Sequence, residues 1–119
     1  MSSTRIAGLA PDRLAVGRGD WAAAQRYALA HLDACVDGGH ATYVPGRLDA
    51  LGEVAPGLGS DRDAVRLFAA AERARAEIGV VRIPPEEGRW TTIDGRLREA
   101  LGPQAYEATR VGGAELTRA

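Results

Sequence analysis

The sequence predicts an all-α protein, a solenoid of antiparallel helix pairs with five or six helices in 119 residues. Three observations predict it. Apolar residues recur at helical spacing through most of the chain. β-Branched residues cluster only in "GVVRIPP" (79–85), which is too short and too proline-closed for a sheet strand. The chain also repeats itself. "GDWAAAQRYALAHLDA" from Gly19 aligns with "GSDRDAVRLFAAAERA" from Gly59, placing Ala24 on Ala64, Tyr27 on Leu67, Ala28 on Phe68, His31 on Ala71 and Ala34 on Ala74. A period of about 40 residues with two helices per unit marks a helical solenoid, and small residues belong where its helix axes come closest.

Taken in order, residues 3–17 read as an initial helix weakened by Pro11. Asp20 is a good N-cap for a helix whose one face carries Trp21, Ala24, Tyr27, Ala28, His31, Leu32 and Cys35, and Gly38-Gly39 ends it. A second helix fits His40 to about Pro56, with Pro45 in its first turn, where a missing N–H costs little. Ser60 or Asp61 caps a third, running to Gly79. After an extended "VVRIPP" linker, Pro85 opens a fourth helix, "EEGRWTTIDGRLREALG", whose first turn is acidic as the helix dipole favours. "PQAYEATRV" forms a last short helix ending at Gly112-Gly113. One domain is expected: an initial helix at 1–18, repeat-like units at 19–58 and 59–101, a capping helix at 102–113 and a frayed tail at 114–119.

The segment "LDALGEVAPGLGSDRDAVRLFAAAE" (48–72) resembles one tetratricopeptide-type repeat. Leu48, Leu51, Gly52 and Ala55 match the bulky–bulky–small–small pattern of its first helix, Gly59 its turn, and Ala64, Phe68 and Ala71 its second helix. Residues 19–117 further resemble the C-terminal helical region of large bacterial ATPase regulators of the LuxR, AfsR-like and adenylate-cyclase-linked groups. The order is an alanine-rich helix, a proline-marked linker, a helix ending "LREALG", then an aromatic-bearing helix. The resemblance implies a tetratricopeptide-like fold and a regulatory, protein-binding role. The sequence carries no GxxxxGK[ST] phosphate loop, no nucleotidyl cyclase domain and no helix-turn-helix after residue 117, so ATPase, cyclase and DNA-binding activities do not carry over.

Composition narrows the remaining classes. Aromatics are 5% of the chain and alanine supplies much of its 45% apolar content, so the core should be thin and closely packed. A net charge of -1 provides no basic field for nucleic acid or an anionic membrane surface. All 15 basic residues are arginines interleaved with acids, a mark of genome composition rather than of arginine chemistry. The single cysteine excludes an internal disulfide and points to a reducing, cytoplasmic setting. Neither a secretory signal nor an apolar run of membrane-spanning length is present.

"RYALAHLDACVDGGH" (26–40) holds both histidines and the cysteine, with His31 and Cys35 at i, i+4. Metal binding would need further ligands, and no CxxC or HExxH spacing exists. His31 aligns with the packing position Ala71, and Cys35 lies near a helix C-terminus, whose dipole disfavours a thiolate. A structural role is expected of both, partly buried and hydrogen-bonded or simply packed, with no metal, no cofactor and no catalytic group. Asp49 and Glu53, at i, i+4, read as a solvated face rather than an acid–base pair, and Trp21 and Trp90 as core anchors.

Two functions follow. The first is a non-catalytic module that holds a protein or peptide partner in the groove made by successive first helices. By the resemblance, Gly46, Asp49 and Glu53 are its outward positions. The second is a small-molecule-binding protein or small enzyme with a pocket between helices around Tyr27, His31, Tyr43 and Trp90. A relic of a longer array with no present ligand is a third. Roughly two and a half units are few for such an array, and an initial helix with Ile6, Leu9, Leu14 and Val16 would leave an apolar face open. A homodimer through these helices would cover it; residues 1–16 folding over the end as an irregular cap would instead leave a monomer.

Overall fold

The computed structural model describes residues 15–115, and among these there are helices and no strand. Residues 15–17 are helical and turn at 18–19 into α1 (Trp21–Asp37). A 3-10 turn, Ala41–Tyr43, leads into α2 (Val44–Val54), and a second, Ala55–Leu58, closes it. Then come α3 (Asp61–Ile78), α4 (Pro84–Leu101) and α5 (Pro103–Ala114). Most of the initial helix expected at 1–18, including Ile6, Leu9 and Leu14, lies outside the described residues, as do residues 116–119 of the expected tail. No helix among the described residues is long and apolar enough to cross a membrane.

The local signals act as their chemistry requires. The Asp20 carboxylate accepts from Ala23 N–H at 3.1 Å and caps α1. Pro45 and Pro84 stand in the first turns of α2 and α4. Glu86 at the third position of α4 reaches back to the Ile83 N–H at 3.4 Å. The left-handed φ values of Gly59 (82°) and Gly79 (75°), which side-chain-bearing residues rarely adopt, enter and end α3. Ser60 holds the N-cap position without a side-chain cap bond, and Asp61 and Asp63 supply first-turn acid instead.

Two expectations need correction. The sequence places Tyr27 on the buried face of α1, but Ala23, Ala24 and Ala28 form that face and Tyr27 is 41% exposed. The last helix does not stop at Gly112-Gly113; it continues through both to Ala114. Gly113 is no terminator but a contact. A β-carbon there would stand 2.5 Å from the Arg66 Cα and carbonyl oxygen, so only glycine lets the backbones of α3 and α5 approach this closely.

α3 is the central helix, packed along α2 on one side and α5 on the other, with α1 against α2. α4 rests on α3 and α5. The core joins Ala55, Ala64, Val65, Phe68, Leu97 and Tyr106, with Trp90, Ile93 and Leu101 packed against it. Trp21, Val16, Ala24 and Val54 form a second cluster; Ala28, Leu51 and Leu67 belong to a third. Ala64 and Ala71 have no exposed surface. Replacing Ala71 with leucine should therefore overpack a helix crossing and cost about 1–3 kcal/mol in denaturant unfolding; a neutral effect would mean this crossing can open freely.

α4 and α5 are clasped by a polar contact. The buried Tyr106 hydroxyl donates to Asp94 Oδ1, and Arg98 Nε donates to Asp94 Oδ2 at 2.8 Å. The Arg98 guanidinium also lies 4.3 Å above the Tyr106 ring. Burial, then the hydrogen bond to Asp94, pushes the Tyr106 phenol up to about 12. The folded phenol thus holds its proton more tightly than the unfolded one, near 10. The resulting stability is intact below pH 10 and lost as the pH rises toward about 12, at about 1.4 kcal/mol per pH unit. Unfolding across that window should show this slope in the native chain and a flatter one in Tyr106→Phe. Equal slopes would place the alkaline loss elsewhere.

Candidate functional site

Two clefts that share Glu53 run along α4: a polar head between α4 and α2, and an apolar body between α4 and the segments around Val16, Trp21 and the 55–58 turn. Asp49 stands at the head, on α2, buried to 8% exposure. It receives Arg75 from α3 and Arg82 from the linker before α4. Arg82 grips it as a fork, Nε to Oδ2 and Nη2 to Oδ1, both at 3.0 Å. The other side of that guanidinium is covered by Trp90, whose ring centroid lies 4.6 Å from Arg82 Cζ. Glu87 Oε2 lies 4.0 Å from Arg82 Nη1. Two buried cations thus share one buried carboxylate, with a half-exposed acid and an aromatic face completing the balance. The alternation of the linker explains the geometry: Arg82 turns inward while Val81 and Ile83 face out, at 86% and 57% exposure.

Gly46, Arg47, Asp49, Glu53, Glu86 and Trp90 line a narrow cleft of about 40 Å³ at this head. Glu53, paired with Arg89 at 3.6 Å, also lines the much larger groove below. That groove has a volume of about 490 Å³. Val16, Trp21, Pro56 and Gly57 form one wall, Ile93, Arg96, Leu97 and Ala100 of α4 the other, with Glu53 and Asp61 also lining it. The Trp21 indole lies on the 55–58 turn, where a β-carbon at Gly57 would collide with it.

The expected site residues divide. Gly46, Asp49 and Glu53 do share the cleft between α2 and α4. Asp49 is not on a solvated face, however. Its carboxylate faces inward because Arg75 and Arg82 would otherwise be buried without a counter-charge. The alternative pocket is not assembled. Tyr27 and Tyr43 are exposed and line neither cleft, and Trp90 belongs to the head of the groove. His31 accepts from Arg47 Nη1 at Nδ1, 3.2 Å away, and Cys35 is a half-buried free thiol. Among the described residues, no cluster of three or more His, Cys, Asp and Glu could hold a metal ion.

Sequence reasoning missed Arg75, Arg82, Arg96 and Asp61. A signal existed for Arg82: one cation alone on the inward side of an apolar extended stretch needs a carboxylate. The spacing could not say that its partner lies on α2. Comparison with protein-family models, curated proteins and solved structures found no match to this chain.

Proposed function

We propose that this chain is a non-catalytic, tetratricopeptide-like module that holds a protein or peptide segment in the groove along α4, in a regulatory and cytoplasmic role. The observation that carries the reading is the groove itself: about 490 Å³, with Val16, Trp21, Pro56 and Gly57 facing Ile93, Leu97 and Ala100 of α4, and edged by charge. By the tetratricopeptide-type resemblance over 48–72, which makes α2 a first helix and α3 its second, α2 and α4 would be the first helices of successive units, whose shared face is where such arrays hold their partners. The shared burial of Ala24 with Ala64 and of Ala28 with Phe68, pairs one sequence period apart, supports that register. The Arg82–Asp49–Trp90 head supports it too, since it ties the linker before α4 and Trp90 of α4 to α2.

The test is selection of binding peptides from a random library on the wild-type chain, followed by measurement on Ala100→Trp. Ala100 is an exposed groove residue, so the new indole fills the space without disturbing the core. Selected peptides should lose about tenfold or more in affinity, equivalent to roughly 1.4 kcal/mol. Unchanged affinity would remove the groove as the site. A second reading has one observation in its favour: the groove volume also lies in the range of small-molecule pockets, about 300–1,000 Å³. A metabolite that raises the melting temperature of the wild type but not of Ala100→Trp would select that reading.

A further inference from the structure

The charges at the two ends of the groove differ in kind. At the head, Asp49, Glu53, Arg82 and Arg89 are all engaged in ion pairs. In the body, the groove is lined by Asp61, half-buried at the start of α3, and by Arg96, exposed on α4. Neither forms an ion pair among the described residues, with the other or with any third group. Two opposite charges outside any ion pair among the described residues therefore border one apolar groove lined by Trp21, Ile93 and Leu97.

We infer that the groove reads charge order as well as apolar bulk: it takes a segment with an apolar centre, a basic side chain on the side that meets Asp61 and an acidic one on the side that meets Arg96. This rests on the reading of the groove as a peptide site. An apolar trough alone would accept a segment in either direction. Opposite charges on its two sides favour one direction and repel the other, because reversal sets like against like. The charges stand at the rim, where solvent screens them, so each matched pair should change affinity by roughly two- to fivefold.

The experiment uses short end-blocked, fluorescently labelled peptides with two leucines at the centre. One has arginine before and glutamate after the leucines, one has the reverse order, and one has serine on both sides. Their binding to the full chain is followed by anisotropy. One charged order should outbind the other by about fivefold or more, and salt at about 0.5 M should narrow the gap. The double variant Asp61→Arg, Arg96→Asp should prefer the opposite order, with its fold checked by circular dichroism. Should that variant not fold, Asp61→Asn and Arg96→Gln singly should each shrink the gap. Equal binding of both orders, or a preference that these changes leave unmoved, would overturn the charge reading and leave the peptide groove standing. If no peptide bound at about millimolar concentration, the serine-flanked one included, both readings would fall.

Discussion

Asp49→Ala should cost about 3–5 kcal/mol of folding stability, the largest loss expected from any single change at the head of the groove. The reason is asymmetry of charge. Arg75 and Arg82 are both buried, and Asp49 is the carboxylate that both hold. Removing it leaves two desolvated guanidinium groups, with Glu87 4.0 Å from one of them. Removing Arg82 instead, as Arg82→Met, should cost less, since Asp49 keeps Arg75 and the methionine can still cover Trp90. Urea unfolding of the two variants measures the difference. A loss below about 1 kcal/mol for Asp49→Ala would mean that the arginines find solvent or another acid, and the head would not be a fixed strut.

Gly113→Val should cost about 3 kcal/mol, at the upper end of the usual overpacking penalty, because the obstacle is backbone. The Arg66 Cα and carbonyl oxygen cannot rotate away as a side-chain tip can, so α5 must lift from α3. The Tyr106–Asp94 contact should be strained with it. Gly112 provides the control. A β-carbon there meets nothing within 4 Å, so Gly112→Ala should be neutral or stabilise by up to about 1 kcal/mol through helix propensity. Similar effects at the two positions would show that α5 is not seated on α3 as described.

The contrast between these neighbouring glycines shows what sequence can carry. A Gly-Gly pair after a short amphipathic helix reads as a stop, because local rules see only helix propensity. Its role depends on Arg66, 47 residues earlier in the chain, and no local pattern reports that approach. The helix class and most boundaries were legible because caps, prolines and left-handed glycines act within a few residues of themselves. Asp20, Pro45, Gly59 and Gly79 behave as their chemistry alone requires. Gly46, Asp49 and Glu53, taken as outward positions from the resemblance alone, line one narrow cleft, but Asp49 is buried in it rather than outward. That Asp49 faces inward follows from two arginines that the fold delivers from α3 and the linker, a long-range fact. His31, read as a partly buried side chain that packs or hydrogen-bonds, is half-buried against Arg47; only the identity of that partner, on the next helix, escaped a local reading.

The proposed place of a partner segment is the groove along α4, facing Trp21 and the 55–58 turn. Two-dimensional NMR of the labelled chain, titrated with a library-selected peptide, tests it most directly. The Trp21 indole and the amides of Gly57, Ile93, Leu97 and Ala100 should shift together and saturate with one affinity, while Tyr27 and Tyr43 on the outer surface stay unmoved. Shifts centred on Tyr27, His31 and Tyr43, with the Trp21 indole unchanged, would contradict it.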